Sequence, residues 1–230
     1  FAGPESILEG KFGFCQTFSD SPNLPYLTHR LGREFESMNI CIKRCACHIN
    51  AHAPIEALQQ LREEVGFKPE DVREIVVGGI EKLVTHHAIY QPKDLMMAQY
   101  SIPFCVALSL YDDPTDPESF SEKKLKDKKI LATMRKVRLK VDHEIEQKGW
   151  DRAARLTLVL ANKQRVSKLI IHFKGTPGNP LSQAEVEDKA RNLTRALLPT
   201  GQLERLVQTV NTLEKIADVS RIGKILWSAR

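Results

Sequence analysis

The chain has 230 residues, 42% apolar and 27% charged, an ordinary globular balance with length for one large domain or two small ones. No run approaches the roughly 18 apolar residues that a membrane helix needs, and no charged-then-apolar leader opens the chain. Five cysteines, an odd number too sparse for a disulfide scaffold, point to a reducing, cytoplasmic setting.

Phe1 rather than methionine stands first, so the sequence is expected to begin inside a longer polypeptide. The opening GPESILEGKFGFCQTFSD reads as a packed connection with a short helix, and Pro22 and Pro25 as a hinge. Ile40–Ile42 forms a short apolar strand ending in Lys43. The run ICIKRCACHINAH at 40–52 then concentrates Lys43, Arg44, three cysteines and two histidines. Pro54, the spacing of Ile55, Leu58, Leu61 and Val65, and Gly66 as terminator predict a helix over about 53–65.

Two chemistries compete for this run. Cys45, Cys47, His48 and His52 are soft metal ligands by type, but Cys45-x-Cys47 is one residue tighter than the usual zinc spacing and Cys105 is isolated. No metal is expected, and the plain reading of Cys41, Cys45 and Cys47 is that of small buried apolar residues. Alternatively Lys43, His48 and His52 form a cationic acid–base cluster beside a helix N-terminus, suited to a carboxylate-bearing ligand. The competing explanation is that His48 and His52 only cap backbone groups.

Further along, Val72–Gly78 alternates as a strand, and Asp94–Leu110 is a helix interrupted or restarted at Ser101-Ile102-Pro103. Nine lysines and arginines fall between Lys123 and Lys140. They lack interleaved aromatics, and from Val137 the pattern alternates apolar and basic, so a half-buried strand with a solvated basic face explains them and no nucleic-acid partner is expected. Residues 154–161 and 166–173 read as a hairpin around Asn162–Arg165. After GTPGNPL at 175–181, Ser182 and Glu185 make a capping box, with Val186, Ala190, Leu193 and Leu197 behind it. Pro199 stops that helix, Leu203–Leu213 marks another, and 222–227 a last one. The expected class is α+β: a small antiparallel sheet with packed helices, then an all-helical C-terminal segment.

Several segments, in order, resemble the MmgE/PrpD family, which includes 2-methylcitrate dehydratase and cis-aconitate decarboxylase. GPESILEGKFGF resembles the close of the family's helical domain, and Lys43–His52 with the following IEAL resembles its K-x-x-P-x-H-x-x-x-H-like segment before a helix. DLMMAQYSIPFCVALSL is similar to its A-x-F-S-L-P-Y-x-x-A helix start. LKDKKILATMRKVRLKVD is similar to its L-x-D…M-x-K-V…D strand entry, and FKGTPGNPLSQAEVEDKARNL to its G-x-P-x-N-P-L-S segment.

The resemblance implies the C-terminal part of a two-domain lyase: a connection from a helical domain over 1–34, an α+β lid over 35–174, and helices returning to the helical domain over 175–230. It implies small polycarboxylate substrates, proton removal next to a carboxylate, loss of water or carbon dioxide (or epimerisation), no cofactor, and a homodimer. Lys43 and His48 are carried over as catalytic, and His52, Tyr100, Ser101 and Phe104 as substrate-binding; for Ser101 the plain alternative is a helix cap. Cys45 and Ala46 stand where the family has an aromatic residue and a proline. The family's other acid–base groups come from an N-terminal helical half with no counterpart here, so this chain is expected to be inactive without that half or a partner subunit. A non-catalytic assembly subunit of the same fold is the alternative.

Overall fold

The computed structural model describes residues 2–227. The chain divides between Ile40 and Cys41 into two compact units. In the first, a short helix, α1 (Phe14–Phe18), is followed by single 3-10 turns at Leu24–Leu27 and Glu36–Asn39. The expected short helix is present. α1 buries no residue, and Phe12, Phe18 and Tyr26 stand exposed.

The second unit opens with α2 (His52–Val65), β1 (Val72–Gly79), α3 (Glu81–His87), α4 (Leu95–Tyr100) and α5 (Ile102–Leu108). Next come α6 (Glu122–Leu125), α7 (Lys128–Met134), β2 (Val137–Val141), α8 (His143–Gln147), β3 (Ala154–Leu160) and β4 (Arg165–Ile170). The helices α9 (Gln183–Thr194), α10 (Thr200–Asn211) and α11 (Ser220–Trp227) end it. The class is α+β.

The expected α2 forms because its apolar spacing gives it one inward face: Ile55, Leu58 and Leu61 are buried against β3 and β4. Each such burial contributes about 1.5–3 kcal/mol. Gly66 ends the helix at φ +73°, a left-handed turn that costs glycine little.

The strands run in the order β2-β1-β3-β4. β1/β3 and the β3/β4 hairpin are antiparallel as expected, with Leu156 opposite Val77 and Leu158 opposite Ile75 on the core face. The sheet is nevertheless mixed, because β2 joins β1 in parallel, Val137 beside Ile75. A parallel neighbour needs a long crossover, and the helices α3–α7 supply it. A register shift between Val72 and Glu74 lets Val72 turn inward out of phase with Ile75 and Val77.

A second correction concerns Ile40–Lys43, which is not a strand. Its backbone bonds lie outside the sheet: the Ile42 N–H donates to the Gly175 carbonyl at 2.8 Å and the Ile40 N–H to the Ser37 carbonyl at 3.4 Å. Ile40 and Ile42 are both exposed, so no apolar face draws the segment into the sheet.

The basic run divides between α6, α7 and β2. Lys124 pairs with Asp112 at 2.7 Å, Arg138 with Glu74 at 2.9 Å, and the Lys136 amine donates to the Val72 carbonyl at 2.7 Å. Asp94 caps α4 and Ser101 caps α5, which accounts for the restart at Pro103. Both halves of the Ser182–Glu185 box are made. No helix among the described residues is long and apolar enough to cross a membrane.

Candidate functional site

Residues 41–52 form a loop held at both ends. Gly175, at φ +106°, lets the chain pass close: a Cβ there would come within 2.1 Å of the Ile42 carbonyl oxygen. At the other end the His52 ring reaches back under the loop. Its Nε2 accepts from the Cys45 N–H at 3.2 Å and its Nδ1–H donates to the His48 carbonyl at 3.2 Å. The ring packs on Phe173 with centroids 5.1 Å apart and is almost fully buried. Burial holds its pKa down to about 4, against partial compensation from the backbone acceptors. Both nitrogens are thus committed to the backbone, and the cavity beside His52 has a volume of about 10 Å³, room for no more than one water.

The cysteines behave as the plain reading expects. Cys45, Cys47 and Cys105 are buried and reduced. Hydrogen bonding among the thiols, with burial, holds Cys45 and Cys47 well above the ordinary thiol range. No group of three or more His, Cys, Asp or Glu among the described residues is arranged to hold a metal ion.

His48 points the other way in chemistry. Its own N–H donates to the Gln99 carbonyl at 2.8 Å, tying the loop to α4, and its ring Nδ1 accepts from the Asn50 N–H at 3.2 Å. The network therefore assigns the ring proton to Nε2, which makes no hydrogen bond with another described residue. The ring lies 4.0 Å from that of His87 and 5.0 Å from that of Tyr100, centroid to centroid. Its pKa falls to about 4, first from burial and then from the positive potential of His87, Lys43 and Lys82. At neutral pH it is an uncharged N–H donor.

His87, the last residue of α3, was not singled out by sequence. It is 3% exposed, its Nδ1–H donates to the Tyr100 carbonyl at 3.1 Å, and its buried Nε2 has no partner. The adjacent His86-His87 pair was the only local signal. Nothing in its spacing connects it to a loop some forty positions earlier.

Lys43 is exposed. Its amine donates to the Cys47 carbonyl at 3.1 Å, beside His48, and makes no ion pair among the described residues. Tyr100 is 49% exposed at the end of α4. These three expected residues share one surface region with His87 beneath.

The other three do not join them. His52 is the brace just described. Ser101 is fully buried, its Oγ–H donating to the Ile89 carbonyl at 2.6 Å and its Oγ accepting from the Phe104 N–H at 3.0 Å, so it is the helix cap. Phe104, 1% exposed, belongs to the core. The anion seat expected at the start of α2 is also closed, since His52, Ala53, Pro54 and Ile55 are all buried.

The MmgE/PrpD C-terminal domain profile matches residues 45–215. A cis-aconitate decarboxylase-like protein of Aspergillus oryzae is 23% identical over 205 residues, which is 85% of this chain and 42% of that protein. The chain thus spans about two-fifths of the length of that curated relative.

Proposed function

The chain belongs to the MmgE/PrpD family, and from that premise we propose that it supplies one wall of the active site of a lyase acting on small polycarboxylates. The observation that carries this reading is the uncharged His48 ring, its Nε2–H without a partner among the described residues, at a surface shared with the exposed Lys43 amine and the Tyr100 ring.

Removing a proton next to a carboxylate builds negative charge on that carboxylate. A cation and a neutral N–H donor placed there stabilise the charge as it develops. Lys43 is the cation and His48 the donor. A neutral imidazole suits the role, because it polarises an oxygen without a full charge whose hydration must first be lost. On this reading His48 is not the base. Its Nδ1 lone pair is taken by the Asn50 N–H, and its Nε2 already carries the proton. The base then comes from residues outside this cluster, and the isolated chain is proposed to be inactive without the family's N-terminal helical half or a partner subunit.

Loss of water from a 2-methylcitrate-like substrate is the leading reaction. The name of the Aspergillus relative favours loss of carbon dioxide as the second reading. Cytoplasmic placement and a homodimer are part of the same proposal, supported by the free cysteines and by the family.

The test is turnover of 2-methylcitrate and of cis-aconitate by the isolated chain and by a protein carrying both halves. Activity is expected only in the second, with one substrate strongly preferred. In it, His48→Gln should lower kcat by about 10²–10³-fold, the cost of losing one charge-stabilising donor. Full activity in both His48→Gln and Lys43→Met would instead support a non-catalytic assembly role.

A further inference from the structure

Among the buried titratable groups of the described residues that the proposed mechanism leaves unused, the His87 imidazole stands against His48. It is nearly inaccessible, its Nε2 is unpaired, and a phenyl ring would fill the same space without burying an unsatisfied nitrogen. Packing alone therefore accounts poorly for it. What the ring does touch is informative. Its Nδ1–H is fixed on the Tyr100 carbonyl, and its face lies 4.0 Å from His48 with the planes 38° apart. Tyr100, whose carbonyl anchors His87, also packs its own ring on His48 at 5.0 Å.

We propose that His87 is a positioning residue for His48, seating its ring between itself and Tyr100 as the Nε2–H tautomer that meets the ligand. The proposal rests on the reading of His48 as ligand-facing. A ring free to turn about its Cβ–Cγ bond exchanges its two nitrogens, and only one orientation aligns Nδ1 with the Asn50 N–H. The His87 ring blocks that turn from one side.

The pair also resists a second proton. A charge on His48 would face His87 at the end of α3, Lys82 on the same helix and Lys43 on the loop, and His87 in turn faces His86 and Lys82. Neither Lys43 nor Lys82 has an ion-pair partner among the described residues, and Tyr100 offers a neutral ring.

The experiment is ¹⁵N NMR of the histidine side chains in this chain, without substrate, across pH 4–8, assigned with His48→Gln. Wild type should show His48 protonated on Nε2 alone and His87 on Nδ1 alone. In His87→Ala the two His48 nitrogens should average, and its midpoint should climb from about 4 toward 6.5. His87→Phe, which keeps a flat ring, should restore the single tautomer. His52 serves as the fold control, because its Nδ1–H signature persists only while the loop is intact. If Ala disturbs that signature, His87→Leu replaces it and is read in the same way. A His48 tautomer and midpoint unchanged by Ala or Leu would overturn the proposal. So would a wild-type proton on Nδ1, or a folded Phe variant that fails to restore the tautomer. The readout needs no turnover, so failure of the lyase reading and failure of this one are separable.

Discussion

His52 and His48 lie four residues apart on one loop, and both are held near pKa 4 with burial as the first cause. Their surroundings nevertheless separate them. The His52 end has every nitrogen spent on backbone, Phe173 against the ring and space for one water at most. The His48 end has one nitrogen spent and one without a partner among the described residues, an exposed lysine and an exposed tyrosine. A depressed histidine pKa thus identifies a desolvated ring and says nothing about its use. The partners of the second nitrogen decide that.

That contrast can be broken by substitution. The largest effect is expected from His52→Leu, which leaves the buried Cys45 N–H without an acceptor and removes a donor from the His48 carbonyl. About 3 kcal/mol should be lost in denaturant unfolding. A loss below about 1 kcal/mol would show that His52 is not a brace.

Acid should produce a comparable loss. Both folded-state values lie below the ordinary 6.5, so the unfolded chain binds protons first. This contribution is fully present above pH 6.5 and is lost as pH falls through the interval down to about 4. For His52 the loss is on the order of 3 kcal/mol at the acid end. The half-exposed His48 contributes less, because solvent screens it. In His52→Leu the acid slope over this interval should flatten, which pH-dependent melting will read.

Gly175→Ala attacks the far anchor. With φ at +106° and the Ile42 carbonyl in the way of a Cβ, about 2 kcal/mol or more should be lost. The added side chain should also release the Ile42 N–H, seen as faster amide exchange at that residue. The smallest effect belongs to His48→Gln. A half-buried ring with one bond to the Asn50 N–H should cost under about 1 kcal/mol of stability. If it costs as much as His52→Leu, the two ends of the loop are alike and His48 is structural.

Much of the fold was legible because it is local. The three-and-four spacing of Ile55, Leu58 and Leu61, the left-handed stop at Gly66, the caps at Ser101 and Ser182, and the hairpin of β3 and β4 each depend on residues within a few positions. Ile40–Lys43 misled because an apolar triplet is strand-like by composition, while pairing requires a free sheet edge that its chain position does not offer. The parallel β2 was likewise invisible, since direction is set by a crossover and not by the alternation of Val137, Leu139 and Val141.

The candidate site follows the same division. Order along the chain was enough to place His48 on the connection before α2 and to offer Ser101 as a cap, whereas Lys43 was expected at the tip of a strand that does not form. Whether a ring nitrogen meets a carbonyl, another ring or solvent depends on groups brought in from α3, α4 and the Gly175 turn. Those contacts made His52 a brace, Phe104 a core residue and His87 the neighbour of His48. Local hydrogen bonding and periodicity are written into adjacent residues; desolvation and ring contacts arise only when distant segments close over one another.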